Sequence, residues 1–463
     1  MSMNDNPYLP LLEGQQAFFQ SRATLPLAFR RQQLRALRTL LRQHESDLCD
    51  ALHADFGKGA FDTYATELGP LYAEISWQLR HLPCNARTRR IPCNLANLPA
   101  TFRLMREPLG CVLVIGAWNY PLHLSLMPAI DAMAAGCTAI IKPSELTQHT
   151  SKLVASLINN AFRSDYLHVV EGGAEETQCL ASLHWDKIFF TGSPRVGRII
   201  YQKAAENTVP VTLEMGGKSP VIVTPSANLA LAARRIAWGK CLNAGQTCVA
   251  PDYLLAHRSV KDELLTLLAH EMSQQHYLPG GEACTSIVNE KHYNRLLALL
   301  APYRERNGLI VCGGKGDMHA RCLSPTVVDG VQWHHPIMQE EIFGPLLPVL
   351  AYEDLSDALA HIAAGERPLS AYLFSRNVHE QRLFLHTLPF GGGCINDVVM
   401  HLSNPAAPFG GVGGSGMGCY HGEQGFLCFS HQKTIMQKPR WEFPLKFPPH
   451  SARKLNIIKR ILR

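Results

Sequence analysis

Several features are missing from this chain of 463 residues, and each absence excludes a class. No run of about 18 apolar residues occurs, so no membrane-spanning helix is expected. The stretch Met1–Pro10 is polar and holds no apolar core, which argues against a secretory signal. An excess of one charge is nearly absent: 44 Lys and Arg face 38 Asp and Glu, a net +6. Spread over this length, that gives no footing for a nucleic-acid partner. Fourteen cysteines are present, yet none form a C-x-x-C and none share zinc spacing with histidine. No metal site is expected, and scattered thiols point to a reducing compartment, the cytoplasm. With 46% hydrophobic and 18% charged residues, the composition is that of a packed protein.

The length favours two large domains or three smaller ones. Helical spacing runs from Leu25 to Phe56, with Leu34, Leu37, Leu41, Leu48 and Leu52 on one stripe and Gly57 as a stop. A second helical stretch covers residues 61–82. Residues 83–101 carry Pro83, Pro92 and Pro99 among arginines and read as an extended arm. From residue 110, short apolar runs alternate with helical patterns: 111–115, 138–141, 168–170 and 187–190, then again from 219, 253 and 309. That rhythm predicts an α/β protein with two parallel-sheet lobes, divided near residue 215. The end of the chain, 451–463, places Leu455, Ile458 and Leu462 at helical spacing among Arg453, Lys454, Lys459, Arg460 and Arg463. A basic amphipathic helix can lie on an anionic membrane. The plainer reading is a helix docked on its own protein or a sister subunit, or a frayed tail, and it is preferred.

Four places can carry chemistry. Cys248, in Asn243-Ala244-Gly245-Gln246-Thr247-Cys248, is a candidate nucleophile, because a thiol beside a helix start or a cation loses its proton more readily. Most cysteines are inert core residues. Glu214 follows an apolar strand and precedes Gly216-Gly217; at a strand end it can act as a base, and otherwise it is a solvated loop residue. Asn119, just past the run at 111–115, can aim its amide at an oxyanion, or simply shape the turn before Pro121. Gly411 to Gly416 matches G-x-G-x-x-G literally, but no strand pattern precedes it and no βαβ rhythm follows, so it is rejected as a dinucleotide fingerprint. Gly192-Ser193-Pro194-Arg195-Val196-Gly197 is better placed, since it follows a strand and opens a helix whose free N–H groups suit a pyrophosphate. Lys142 and Glu145, after the run at 138–141, can hold ribose hydroxyls or form an ordinary turn.

Together these pieces resemble the aldehyde dehydrogenase superfamily over about residues 30–435. The order is Trp118-Asn119-Tyr120-Pro121, Lys142-Pro143-Ser144-Glu145, Phe190-Thr191-Gly192-Ser193, Leu213-Glu214-Met215-Gly216-Gly217-Lys218 and Gly245-Gln246-Thr247-Cys248. Then come Glu340-Glu341-Ile342-Phe343-Gly344-Pro345 and Pro408-Phe409-Gly410-Gly411. The segment Gly414–Gly422 and the short Arg- and Leu-rich start are similar to the dimeric class 3 branch, which acts on aromatic and medium- to long-chain aldehydes. The resemblance implies NAD(P)-dependent oxidation of an aldehyde to an acid, with Cys248 as nucleophile, Asn119 and the Cys248 N–H as oxyanion donors, and Glu214 as the base for the hydrolytic water. It implies cofactor contacts at Trp118, Lys142, Ser144, Glu145, Gly192, Ser193, Gly197, Glu341 and Phe343, with NAD preferred and NADP tolerated. Tyr120 is expected in the substrate pocket.

The implied domains are a Rossmann-like cofactor domain (1–86 and 107–214), a catalytic domain (215–394), oligomerisation segments (87–106 and 395–440) and a tail (441–463). A homodimer is implied. His431-Gln432-Lys433 departs from the family's basic pair after Phe429-Ser430, and 451–463 lacks the long apolar anchor of membrane-bound relatives. Two rivals are a CoA-acylating relative, which commonly lacks the general-base Glu, and a non-catalytic binding member.

Overall fold

The structure, a computed structural model, describes residues 6–274, 284–304 and 309–462. Met1–Asp5 of the polar start and Arg463 of the tail lie outside it.

Two parallel sheets organise the chain. The first has six strands in the order 416–417, 211–215, 187–192, 111–115, 138–142, 167–169. All pair in parallel except Gly416–Met417, which runs antiparallel along the edge. The inner strands are buried throughout, as in Cys111–Ile115 and Thr138–Lys142, which explains their unbroken apolar runs. Chain order reverses between 111–115 and 187–192. Such a switch point opens a crevice at the strands' carboxyl ends, where Trp118, Asn119 and Ser193 follow directly.

The second sheet has seven strands, in the order 310–312, 326–328, 346–352, 253–257, 220–223, 370–374, 392–395. Only Ile310–Cys312 runs antiparallel. A separate three-stranded antiparallel sheet joins Arg89–Ile91, Thr101–Pro108 and Ser430–Gln437.

Four expectations need correction. The helical run Leu25–Phe56 is two helices, Leu27–Gln43 and Glu45–Phe56, broken at His44. The apolar stripe continues across the break, so periodicity alone did not show it. Pro83 belongs to helix Gly69–Asn85 and not to the arm. A helix at Ala174–Ala181 carries too few apolar residues to have been read. Twelve cysteines are free, but Cys284 and Cys322 form a disulfide, with Cα atoms 6.5 Å apart. The two are 38 residues apart, and only tertiary folding brings them together.

Candidate active site

A single cleft of about 1310 Å³ separates the carboxyl ends of the first sheet from the amino ends of the second. Cys248, Glu214, Asn119, Trp118, Lys142, Ser144, Glu145, Gly192, Ser193, Glu341 and Phe343 all line it. Residues from six separate motifs meet there.

The nucleophile loop is built on unusual backbone. Asn243, Ala244 and Gly245 have φ of 53°, 53° and 71°, three left-handed residues in succession. At Gly245 any Cβ would run into the Gly344 carbonyl, so glycine is required. Gln246 is fully buried and anchors the loop: its Nε2 donates to Ser286 O at 3.0 Å, and its Oε1 accepts from Val288 N at 3.0 Å. Cys248 follows, partly exposed to the cleft. Burial, with Glu341 and Glu214 nearby, pushes its thiol up to about 12. The expectation of a readily ionised thiol is thereby revised. A thiol raised in this way needs a base to take its proton when the sulfur attacks.

Asn119 is held on both sides. Its Nδ2 donates to Gln246 O at 3.1 Å, and its main-chain carbonyl accepts from Asn243 Nδ2 at 2.8 Å. One amide hydrogen remains for an oxygen in the cleft. Glu214 is 3% exposed, and among the described residues neither carboxylate oxygen has a hydrogen-bond partner. Desolvation raises its pKa well above the usual carboxylate range. It pairs in register with Thr191 and Gly416. The glycine-rich segment rejected as a phosphate cradle therefore forms the strand beside Glu214.

Glu341 and Phe343 lie on a braced loop. Lys218 Nζ donates to Asp252 Oδ2 at 2.5 Å and to Glu340 O at 2.8 Å. Arg295 Nη1 donates to Glu340 Oε1 at 2.9 Å, and Asp252 Oδ1 accepts from Ile342 N at 2.9 Å. Phe343 takes φ of 46° and meets Trp118 edge-on, ring centroids 5.2 Å apart. Burial first, then Asp252, raises Glu341 to about 8. Lys218 closes the segment Leu213–Lys218, whose sequence gave no sign of this bracing. Arg295 and Asp252 lie in stretches with no motif, and the sequence held no signal for them.

On the opposite wall, Lys142 is 2% exposed and donates to Pro143 O at 2.8 Å and to Glu145 Oε2 at 3.4 Å. Ser193 caps helix Pro194–Glu206, accepting from Val196 N at 3.4 Å. Thr191 Oγ1 is buried without a partner. A long cleft, a capped helix start after a strand, and a carboxylate–ammonium pair at the next strand end together fit a dinucleotide.

Two expected residues stand back from this wall. Gly197 packs inside, where a Cβ would meet Met215 Sδ at 2.5 Å, so its role is close helix–sheet packing. Tyr120 is buried behind the cleft, its hydroxyl 2.6 Å from Thr247 Oγ1.

A thiol, a buried carboxylate and an amide N–H gather at the mouth of a cleft whose far wall fits a dinucleotide, the arrangement of an oxidoreductase. Residues 12–435 match the aldehyde dehydrogenase family, and the chain belongs to it. The 4,4'-diaponeurosporen-aldehyde dehydrogenase of Staphylococcus aureus is 46% identical over 446 residues, 96% of each chain. The dimeric NADP-preferring aldehyde dehydrogenase of Canis lupus familiaris is 37% identical over 96% of this chain and 98% of its own. A solved structure of Staphylococcus aureus AldH in a substrate-bound state superposes with a TM-score of 0.95, at 45% identity, covering 98% of this chain and 99% of that one. The protein is thus an NAD(P)-dependent oxidoreductase that oxidises an aldehyde to a carboxylic acid, similar to class 3 members. Among the described residues, no helix is long and apolar enough to cross a membrane.

Proposed function

We propose that Cys248, Asn119 and Glu214 divide the reaction among themselves. Cys248 Sγ attacks the carbonyl carbon and passes its proton to a cleft carboxylate. The negative charge that develops on oxygen is met by the free Asn119 amide hydrogen and the Cys248 N–H. Such donors are worth about 10²–10³ in rate. A dinucleotide held in the cleft would supply the acceptor for the hydride that leaves the thiohemiacetal carbon. Glu214 then takes a proton from water, which attacks the thioester and frees the acid. A carboxylate that receives no hydrogen bond from the described protein groups and is desolvated where it lines the cleft has raised basicity, and that observation carries the reading.

Lys142, Ser144, Glu145, Gly192, Ser193, Trp118, Glu341 and Phe343 would hold the dinucleotide. Glu145 accepts bonds from adenosine-ribose hydroxyls and repels a 2′-phosphate, while Lys142 offsets part of that repulsion, so NAD is preferred and NADP tolerated. The domains are 1–86 with 107–214, 215–394, the bridging segments 87–106 with 395–440, and the tail 441–463. The dimeric canine relative supports a homodimer. The basic tail helix Ala452–Ile461, with Leu455 exposed, is read as docked on its own protein or a sister subunit, or as a frayed tail, ahead of a membrane contact. Cytoplasm is the proposed compartment, because twelve of the cysteines are free thiols; the Cys284–Cys322 disulfide is the exception.

A CoA-acylating reaction would leave Glu214 without a task. The test is turnover at 340 nm with NAD and benzaldehyde in the absence of CoA. A panel of chain lengths, including 4,4'-diaponeurosporen-aldehyde, then ranks substrates. Steady turnover without CoA is expected; none, restored by CoA, would reverse the assignment.

A further inference from the structure

Lys58 and Glu67 form an ion pair that is almost wholly sealed from water. Lys58 is 2% and Glu67 0% exposed, with Nζ 2.7 Å from Oε1. Burying two charges is costly unless every remaining lone pair is used. The second oxygen, Glu67 Oε2, accepts from Leu122 N at 2.9 Å and His123 N at 3.2 Å. These are first-turn N–H groups of helix Pro121–Ala135, whose N-cap Tyr120 makes no side-chain cap. Glu67 thus caps this helix from a distant element, a π-helical turn at Tyr64–Leu68. Such turns insert one extra residue and re-aim side chains. Lys58 Nζ also lies 4.7 Å from the centroid of the Tyr120 ring. Tyr120 in turn bonds Thr247, the residue before Cys248.

The helix that Glu67 caps begins two residues after Asn119. Its start is therefore tied at three points: to Glu67 by two N–H bonds, to Lys58 through the Tyr120 ring, and to the nucleophile loop through Thr247. We propose that Lys58 and Glu67 are positioning residues that set where the Asn119 amide stands relative to Cys248. The inference rests on Asn119 being the oxyanion donor. The carboxylate does not touch the reacting atoms. It fixes the backbone that presents the amide, and Lys58 makes that buried carboxylate tolerable.

The test is a double-mutant cycle read on the rate of the first NADH burst at saturating NAD and aldehyde, which reports attack and hydride loss. Asn119→Ala, Glu67→Gln and the double variant are compared, with NADH affinity measured alongside. Glu67→Gln is expected to slow the burst about tenfold or more, since misplacement by 1 Å can cost about 10². NADH affinity stays as in the parent. In the Asn119→Ala background the same change should cost less than about twofold, because a residue acting only through a lost group has nothing further to lose. Should Glu67→Gln fail to fold, Glu67→Asp, which keeps the charge but shortens its reach, takes its place in the cycle. A burst unaffected by either change, or losses that multiply in the double variant, would overturn the positioning role. A burst unaffected by Asn119→Ala alone would instead remove the oxyanion assignment beneath it.

Discussion

Two glutamates are buried within reach of the same catalytic loops, and they are treated in opposite ways. Glu67 has an ammonium and two backbone N–H groups on its carboxylate. Glu214 has no partner on either oxygen. A carboxylate with every lone pair used is held in place and holds its neighbours. One with none is destabilised as an anion, so it gains by taking a proton. The comparison teaches that burial alone does not mark a base; unsatisfied burial does. The thiol follows the same logic. Burial first, then Glu341 and Glu214, pushes the Cys248 thiol up to about 12.

The largest effect should come from the group that forms the covalent bond. Cys248→Ala is expected to abolish oxidation, while titration of NADH fluorescence shows cofactor affinity near that of the parent. Retained turnover would separate the thiol from the chemistry. Next, Asn119→Ala should lower kcat/KM for aldehyde about 10²–10³-fold, the cost of one oxyanion donor. The check is kcat/KM at saturating NAD, and a loss confined to NAD affinity would contradict it.

A smaller change is expected at the cofactor end. Glu145→Ser should move the ratio of kcat/KM for NAD and NADP toward NADP by about 1–3 kcal/mol, the scale of one such interaction. An unmoved ratio would mean that Glu145 does not face the 2′ position.

The smallest concerns stability. Glu341 has a folded-state pKa raised to about 8, above its unfolded value. Its preference for the folded state is complete below the ordinary carboxylate range and is lost as pH rises through about 8. The Tm of the cofactor-free protein should therefore fall across that interval, and less so in Glu341→Gln. Equal slopes would place the pH dependence elsewhere.

Much of this comparison was legible in the sequence at one pole and not at the other. Glu214, Cys248 and Asn119 lie in short segments whose glycines and prolines mark strand ends and turns, so their placement could be read. The two-sheet rhythm was legible because buried parallel strands are continuous apolar runs. Lys58 and Glu67 gave no sign. They are nine residues apart, Lys58 in the loop after Gly57 and Glu67 in the helical stretch 61–82, and charged residues there read as a solvated surface. Only the π-helical turn and the start of helix Pro121–Ala135 bring them to the site. Arg295 and Asp252 were hidden for the same reason, since each acts through backbone distant in sequence. Tyr120, adjacent to Asn119, was expected in the pocket, but the helix start turns it inward to Thr247.

The central claim is that unsatisfied burial makes Glu214 the base that releases the acyl group. Rapid mixing of the Glu214→Gln variant with NAD and aldehyde at neutral pH tests it most directly. The account predicts one equivalent of NADH per active site in the burst, followed by a stall with the acyl group still on Cys248. Steady turnover at the parent rate, with no accumulation of thioester by mass spectrometry, would contradict it.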